Sequence, residues 1–129
     1  MKNVVLLGST GSIGTSTCKV AEDLPDDIRL IGLAAGRNTK LLREQVEQFS
    51  PSAISINCPD AAKGLVNEFN GKPEVFYGEE GLLKLATLPE ADIVLIAIVG
   101  TAGLQPALAA IRAGKDIAVA SKEILVMAG

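Results

Sequence analysis

The feature that most constrains this chain is a glycine-rich turn between an apolar run and a helical pattern. Val4-Val5-Leu6-Leu7 is typical of a buried strand, Gly8-Ser9-Thr10-Gly11-Ser12-Ile13-Gly14 follows it directly, and a helical pattern starts at Ile13. Glycines let the backbone turn tightly and approach a ligand closely, and the free N–H groups and dipole at a helix N-terminus favour an anion. Three glycines at this spacing also suit a purely structural turn, but the order strand, turn, helix favours a dinucleotide phosphate site. The candidate phosphate-binding residues are Thr10, Gly11, Ser12 and Ile13.

Apolar runs and helical patterns alternate along the rest of the chain. The runs predict strands over 4–7, 30–35, 53–56, 75–77, 93–99 and 117–120. The patterns between them predict helices over 13–23, 41–49, 61–69, 80–86 and 107–112. Because continuous runs of Val, Ile and Leu are typical of strands buried on both faces, the sheet should be mostly parallel with helices on either side. We predict an α/β fold with a doubly wound, Rossmann-like sheet, forming one domain over residues 1–129.

Residues typical of helix ends stand at several of these boundaries. Ser12 and Thr39 are predicted N-caps, because a hydroxyl there can accept from a free N–H group of the first turn. Pro106 suits the first turn of its helix, and Gly114 stands where a left-handed C-terminal residue is expected.

Composition excludes several classes of function. A net charge of −3 and a pI near 4.9 argue against a general affinity for nucleic acid or for anionic membranes. The chain has no histidine, which excludes Ser-His and Cys-His catalysis and an ordinary zinc site within it.

Cys18 and Cys58 are predicted to be reduced thiols. Since the longest apolar run, 93–99, is too short to span a bilayer and the N-terminus lacks a signal-like stretch, we expect a cytoplasmic location.

A second candidate site follows the predicted strand 30–35, at Gly36-Arg37-Asn38. In parallel sheets ligands lie off the carboxyl ends of the strands, and an NAD site usually has a carboxylate about 20 residues beyond the glycine turn. Here that region carries Arg37, whose guanidinium would attract a ribose 2′-phosphate. The pattern favours NADP over NAD, although Arg37 alone could be an ordinary surface residue.

A third candidate site is Ser121-Lys122-Glu123, after the predicted strand 117–120. Ser121 could simply cap the next helix, and Glu123 could simply favour its N-terminus. Lys122 is a cation in a helix first turn, where the dipole disfavours it, so its place at the ligand edge of the sheet suggests that it meets an anion.

With these motifs together, the chain resembles the N-terminal NADPH-binding domain of the 1-deoxy-D-xylulose 5-phosphate reductoisomerase family. The resemblance covers nearly the whole chain, through the segments 7–14, 34–38, 97–104, 109–115 and 121–123. Enzymes of that family isomerise a phosphorylated deoxyketose to a branched aldehyde and reduce it with NADPH to 2-C-methyl-D-erythritol 4-phosphate, in the non-mevalonate isoprenoid route.

The resemblance also implies roles for individual residues. Residues 10–13 would hold the cofactor phosphates, and 36–38 would hold the adenosine ribose end. Lys122 would touch the sugar phosphate substrate, and Glu123 would support the cofactor near the nicotinamide. Ser121 stands where the family usually has Asn, so its role as a cofactor-binding residue is the least secure of these.

Family members are much longer than this chain. The resemblance therefore implies a truncated enzyme whose divalent metal, Mg²⁺ or Mn²⁺, is held by carboxylates beyond Gly129, and a homodimer in the full-length protein. The metal is expected to polarise the oxygens of the hydroxyketone. We expect this chain to bind NADPH without turning over substrate. Two alternatives share the fold: another NADP-dependent dehydrogenase, such as a semialdehyde or homoserine dehydrogenase, and a nucleotide-sensing module without catalytic activity.

Overall fold

Strands rich in Val, Ile, Leu and Ala form a parallel sheet in the computed structural model, which describes residues 2–24, 26–36, 38–69, 73–98 and 104–119. Within these residues the strands are β1 (Lys2–Leu7), β2 (Ile28–Ala35), β3 (Ala53–Ile56), β4 (Glu74–Tyr77), β5 (Ile93–Ile96) and β6 (Asp116–Val119). Their order across the sheet is β4-β3-β2-β1-β5-β6, and every neighbouring pair is parallel. This is the arrangement of a doubly wound Rossmann-like sheet, so the predicted fold is confirmed.

Helices cover both faces of the sheet. They are α1 (Ser12–Asp23), α2 (Thr39–Phe49), α3 (Pro59–Phe69), α4 (Gly78–Ala86) and α5 (Leu104–Arg112). Buried residues of α1, α2 and α3 form one hydrophobic cluster with the sheet, and those of α4 and α5 form a second cluster on its other face. Within the described ranges, none of the helices has both the length and the apolar character needed to cross a bilayer.

The central strand β1 shows why the sheet is buried on both faces. Val4 and Leu6 belong to the first cluster, whereas Val5 and Leu7 belong to the second, as the alternation of side chains along a strand requires. Burial on both faces favours the continuous apolar sequence from which the strand was predicted.

The chain reverses its direction of winding at β1, which has β2 on one side and β5 on the other. At the carboxyl end of β1, Leu7 lies opposite Ala34 of β2 and Ile96 of β5. The glycine turn continues this edge, because the N–H of Gly8 donates to the carbonyl of Ala34 at 2.8 Å and the N–H of Ala97 donates to that of Leu7 at 2.8 Å. The turn therefore lies at the switch point of the sheet, where ligands of such folds bind.

The N-caps of two helices lie one residue before the N-caps predicted from the sequence. Gly11, rather than Ser12, is the N-cap of α1, with an extended backbone at φ −78° and ψ 176°. Asn38, rather than Thr39, is the N-cap of α2, and its Oδ1 accepts from the N–H of Leu41 at 3.1 Å. Ser12 and Thr39 are already helical, so both N-cap predictions were wrong by one position.

The predicted features of α5 are confirmed. Pro106 lies in its first turn, and Gly114 follows its last turn with a φ of 78°. The N–H of Lys115 donates to the carbonyl of Ala110 at 2.9 Å and that of Gly114 to the carbonyl of Ile111 at 3.0 Å. This pair of bonds is the Schellman motif, for which a residue that tolerates positive φ is preferred.

Candidate functional site

A cavity of about 290 Å³ lies at the carboxyl edge of the sheet. Its walls are the glycine turn after β1, the residues that follow β2, β3 and β5, and the beginning of α4. Thr10, Ser55 and Asn57 contribute polar side chains to walls that are otherwise formed by glycine and apolar residues. Among the described residues that line it, none carries a charge. Backbone groups and three uncharged polar side chains are therefore what these walls offer to a ligand.

Two glycines of the turn are required by the packing of the protein itself. Gly8 has a φ of +96°, and a Cβ there would lie 2.7 Å from the carbonyl oxygen of Ala97. A Cβ on Gly14 would overlap the carbonyl oxygen of Gly8 and lie 2.8 Å from the carbonyl carbon of Ser9. Only a residue without a side chain lets α1 start this close to the turn.

The packing of the protein does not explain two further glycines, Gly11 and Gly36. A Cβ on Gly11 would have its nearest neighbour, the carbonyl oxygen of Gly8, at 3.7 Å, which is ordinary van der Waals contact. A Cβ on Gly36 would meet nothing within 4 Å, and neither glycine has a positive φ. Both line the cavity. The absence of side chains at these positions is therefore not required by contacts within the described chain, and it leaves the cavity wider there.

The N-terminus of α1 has free donors at the same place. Its first intrahelical bond is from the N–H of Thr15 to the carbonyl of Gly11, at 2.8 Å, so the N–H groups of Ser12, Ile13 and Gly14 precede the helical ladder. No side chain caps this end, and no acidic residue lies in its first turn. Unpaired N–H groups and a helix dipole without a compensating carboxylate are features that favour an anion, and the predicted phosphate contact itself stays a prediction.

The segment after β2 lies on the opposite wall of the cavity. Gly36 lines the cavity, and its carbonyl accepts from the N–H of Asn57 at 3.0 Å, which ties the ends of β2 and β3 together. Asn38 is occupied in capping α2 through its side-chain oxygen. Arg37 lies outside the described residues, so its predicted contact with a 2′-phosphate stays a prediction.

The predicted residues Ser121, Lys122 and Glu123 also lie outside the described residues. Their assigned roles towards cofactor and substrate stay predictions. Of the predicted cofactor-binding residues, Thr10, Gly11 and Gly36 line the cavity. Ser12 and Ile13 follow in the first turn of α1, and Asn38 caps α2 two residues beyond Gly36.

The two cysteines do not line the cavity. Both are free thiols, in accord with the prediction. Burial raises the pKa of Cys18 to about 11, which keeps it protonated at neutral pH and therefore a poor nucleophile. In the part of the chain that the structure describes, there is no group of three or more His, Cys, Asp or Glu residues placed to hold a metal ion.

Sequence reasoning missed three polar residues near the cavity. Ser55 and Asn57 line it at the end of β3. Asn57 could have been identified from the sequence, because it is a polar residue directly after Ile56, the last residue of the strand. Gln45 lies on α2 behind the glycine turn, where its Nε2 donates to the carbonyl of Ser9 at 2.7 Å. Gln45 could have been noticed in the sequence as a polar residue on the buried side of a helix, next to Val46.

The comparisons with known proteins agree with this geometry. A profile of the family described as 1-deoxy-D-xylulose 5-phosphate reductoisomerase matches residues 4–129. Proteins with this name from Citrifermentans bemidjiense and Geobacter metallireducens are 50% and 51% identical to the chain over 130 residues. Each alignment covers 100% of the chain and 34% of the relative, so the chain spans about a third of the length of these relatives.

Solved structures show the same relationship. The 1-deoxy-D-xylulose 5-phosphate reductoisomerase from Zymomonas mobilis in complex with NADPH matches with a TM-score of 0.88 and 38% identity, over 98% of this chain and 34% of that one. A crystal structure of DOX-P reductoisomerase in complex with NADPH, fosmidomycin and magnesium gives a TM-score of 0.91 and 37% identity, over 99% of this chain and 32% of that one. From its sequence, its strand order and the glycine turn at its switch point, the chain belongs to the 1-deoxy-D-xylulose 5-phosphate reductoisomerase family.

Proposed function

We propose that this chain is the NADPH-binding domain of an enzyme that converts 1-deoxy-D-xylulose 5-phosphate to 2-C-methyl-D-erythritol 4-phosphate. The observation that carries the proposal is the uncapped, acid-free N-terminus of α1 beside a cavity cleared by Gly11 and Gly36. Relatives of known structure bind NADPH, which supports the choice of cofactor. A dinucleotide needs two such features, a donor-rich turn for its pyrophosphate and open backbone for its ribose end.

The described residues fit such a cofactor. The N–H groups of Thr10, Ser12 and Ile13 would serve the pyrophosphate, whereas that of Gly11 donates to the carbonyl of Gly8 at 3.3 Å. Gly36 would give the adenosine ribose an open wall. Arg37 would pair with the 2′-phosphate, which distinguishes NADPH from NADH. When bound, NADPH supplies the hydride that reduces the aldehyde.

The remaining residues of the proposal act on the substrate side. Lys122 would bind the phosphate of the sugar, Glu123 would support the cofactor near the nicotinamide, and Ser121 would contact the cofactor with a hydroxyl in place of the usual amide. A divalent cation, Mg²⁺ or Mn²⁺, would act in the full-length enzyme through ligands outside this chain. A cytoplasmic location and a homodimeric full-length enzyme complete the proposal.

The cofactor part is tested by titrating the 129-residue chain with NADPH and NADH in a calorimeter. We expect tighter binding of NADPH, and we expect Arg37→Ala to reduce that preference because the 2′-phosphate loses its cation. Arg29→Ala is the matched control, because Arg29 is exposed on β2 at the amino edge of the sheet. Equal affinities for both nucleotides, or equal effects of the two substitutions, would contradict the assignment of Arg37.

The catalytic part is tested in the complete enzyme with Lys122→Ala. If Lys122 binds the substrate phosphate, turnover should fall severely while the affinity for NADPH stays near that of the parent. Equal loss of both would indicate a residue that binds only cofactor, and so would favour the nucleotide-sensing alternative.

A further inference from the structure

The side chain of Gln45 connects α2 to the glycine turn. Gln45 is 4% exposed and lies on the buried side of α2, between Leu42 and Val46. Its Nε2 donates to the backbone carbonyl of Ser9 at 2.7 Å, and Ser9 is itself fully buried. A buried amide reaching across 36 residues of sequence to one carbonyl is a specific tertiary contact rather than a local one.

The other end of Ser9 is also fixed. Its N–H donates to the carbonyl of Ala34 in β2 at 2.8 Å. Ser9 is therefore held on both sides, by a strand through its N–H and by a helix through its carbonyl. The peptide unit that leads from Ser9 into Thr10 cannot rotate without breaking the bond to Gln45.

The direction of that peptide unit matters for the cavity. A trans peptide is planar, so the carbonyl of Ser9 and the N–H of Thr10 point in opposite directions. With the carbonyl directed towards α2, the N–H of Thr10 is directed away from α2, and Thr10 lines the cavity. This N–H makes no backbone–backbone hydrogen bond within the described part of the chain.

Stability alone does not account for an amide at this position. The Oε1 of Gln45 is buried and has no hydrogen-bond partner among the described residues. A buried acceptor without a partner is unfavourable. A methionine of similar length would remove that cost but would leave the carbonyl of the buried Ser9 without its donor, so the two effects on stability should roughly offset each other. The Nε2 donor, which bonds to the carbonyl of Ser9, is therefore the group that distinguishes glutamine from an apolar residue here.

The same helix also begins at the ribose end of the site. Asn38 caps α2 immediately after Gly36 of the cavity wall. One helix therefore begins at its N-cap Asn38, two residues after Gly36, and contacts the glycine turn from its middle through Gln45. We propose that Gln45 is a positioning residue, which aims the N–H of Thr10 at the cofactor phosphates through the carbonyl of Ser9. This inference rests on the proposed binding of NADPH.

The test compares three substitutions on α2 in the 129-residue chain. Gln45→Met removes the donor, Gln48→Met is the matched control at an exposed glutamine, and Val46→Ala weakens the packing of α2 without touching the turn. The dissociation constant for NADPH is measured by calorimetry, and stability by urea unfolding. We expect Gln45→Met to raise the dissociation constant about tenfold, the size of one well-aligned hydrogen bond, with little change in stability.

The controls separate positioning from a structural role. Gln48→Met should change neither quantity, and Val46→Ala should lower stability while leaving the affinity for NADPH unchanged. The proposal is overturned if Gln45→Met binds NADPH as the parent does, or if its loss of affinity only follows a loss of stability shared with Val46→Ala.

Two further measurements keep the outcome decisive. If Gln45→Met does not fold, the side-chain amide protons of Gln45 in the parent are followed by NMR. They should shift on addition of NADPH, while those of Gln48 should not. Gln45 protons that do not shift would overturn the proposal. If the parent fails to bind NADPH, the proposed function falls, and the same comparison with inorganic pyrophosphate tests Gln45 alone. Equal pyrophosphate affinity in Gln45→Met and the parent, or none in either, overturns the proposal.

Discussion

The N-termini of α1 and α4 lie at the same edge of the sheet and border the same cavity, yet they differ in charge. Gly11 caps α1 and Tyr77 caps α4, both with extended backbone and neither with a side-chain hydrogen bond to the helix. The first turn of α4 carries Glu79 and Glu80, whereas the first turn of α1 carries no acidic residue. The two helix ends share an extended N-cap without a side-chain bond, and they differ in the charge that an anion would meet.

This difference predicts which of the two helix ends a phosphate would favour. The dipole of α4 is compensated by its own carboxylates, which would also repel a second anion. The dipole and free N–H groups of α1 are left for a ligand. Of these two helix ends, only that of α1 has no carboxylate in its first turn.

The largest effect is expected for Gly14→Ala, which disturbs the contact between α1 and the glycine turn. Because the new Cβ would overlap the carbonyl of Gly8, the turn and the helix must move apart, and we expect a loss of about 3 kcal/mol in the free energy of unfolding. Urea denaturation measures it. Gly64→Ala is the matched control in α3, where a Cβ meets nothing within 4 Å and should add up to about 1 kcal/mol. A Gly14→Ala protein as stable as the parent would show that the close contact is not needed.

The comparison is sharpened by giving α1 the charge that α4 already has. Gly11→Asp places a carboxylate at the N-cap, where it can cap the helix, and there is room for it. We expect the affinity for NADPH to fall about 100-fold, or about 2.7 kcal/mol, with stability nearly unchanged.

Gly11→Asn separates the effect of charge from that of size, because asparagine has the same shape and also caps helices. We expect it to weaken binding less than Gly11→Asp does. If both variants bind NADPH as the parent does, the cofactor phosphates do not lie at α1.

The reverse change removes the charge from α4. In Glu79→Gln combined with Glu80→Gln, the helix loses its favourable carboxylates, and we expect the free energy of unfolding to fall by about 0.3–1 kcal/mol. Glu44→Gln, on an exposed position further along α2, is the control and should change it less. The affinity for NADPH should not decrease in the α4 variant, and a marked decrease in calorimetry would mean that these carboxylates belong to the site.

The glycine turn could be predicted from the sequence because its signals are local. The strand, the turn and the helix follow each other directly, and the free donors arise from the start of α1 itself. The helix starts were less certain. Neighbouring residues such as Asn38 and Thr39 can both cap, and only the backbone decides which one does.

Other features depend on tertiary packing and could not be predicted. The apolar run 93–99 was predicted as one strand, but β5 ends at Ile96 and the next two residues, Ala97 and Ile98, line the cavity. Both strand and cavity wall are apolar, so hydrophobicity does not separate them. The contact of Gln45 with Ser9 joins residues from different elements, and no spacing rule reports such a pair.

The most direct test of the account is an NMR titration of the ¹⁵N-labelled chain with NADPH, following backbone amides at both helix ends. If the phosphates bind at the N-terminus of α1, the largest shifts should fall on the amides of residues 10–14, with small shifts on residues 78–81 at the start of α4. Shifts concentrated on 78–81, or none on 10–14 at saturating NADPH, would contradict it.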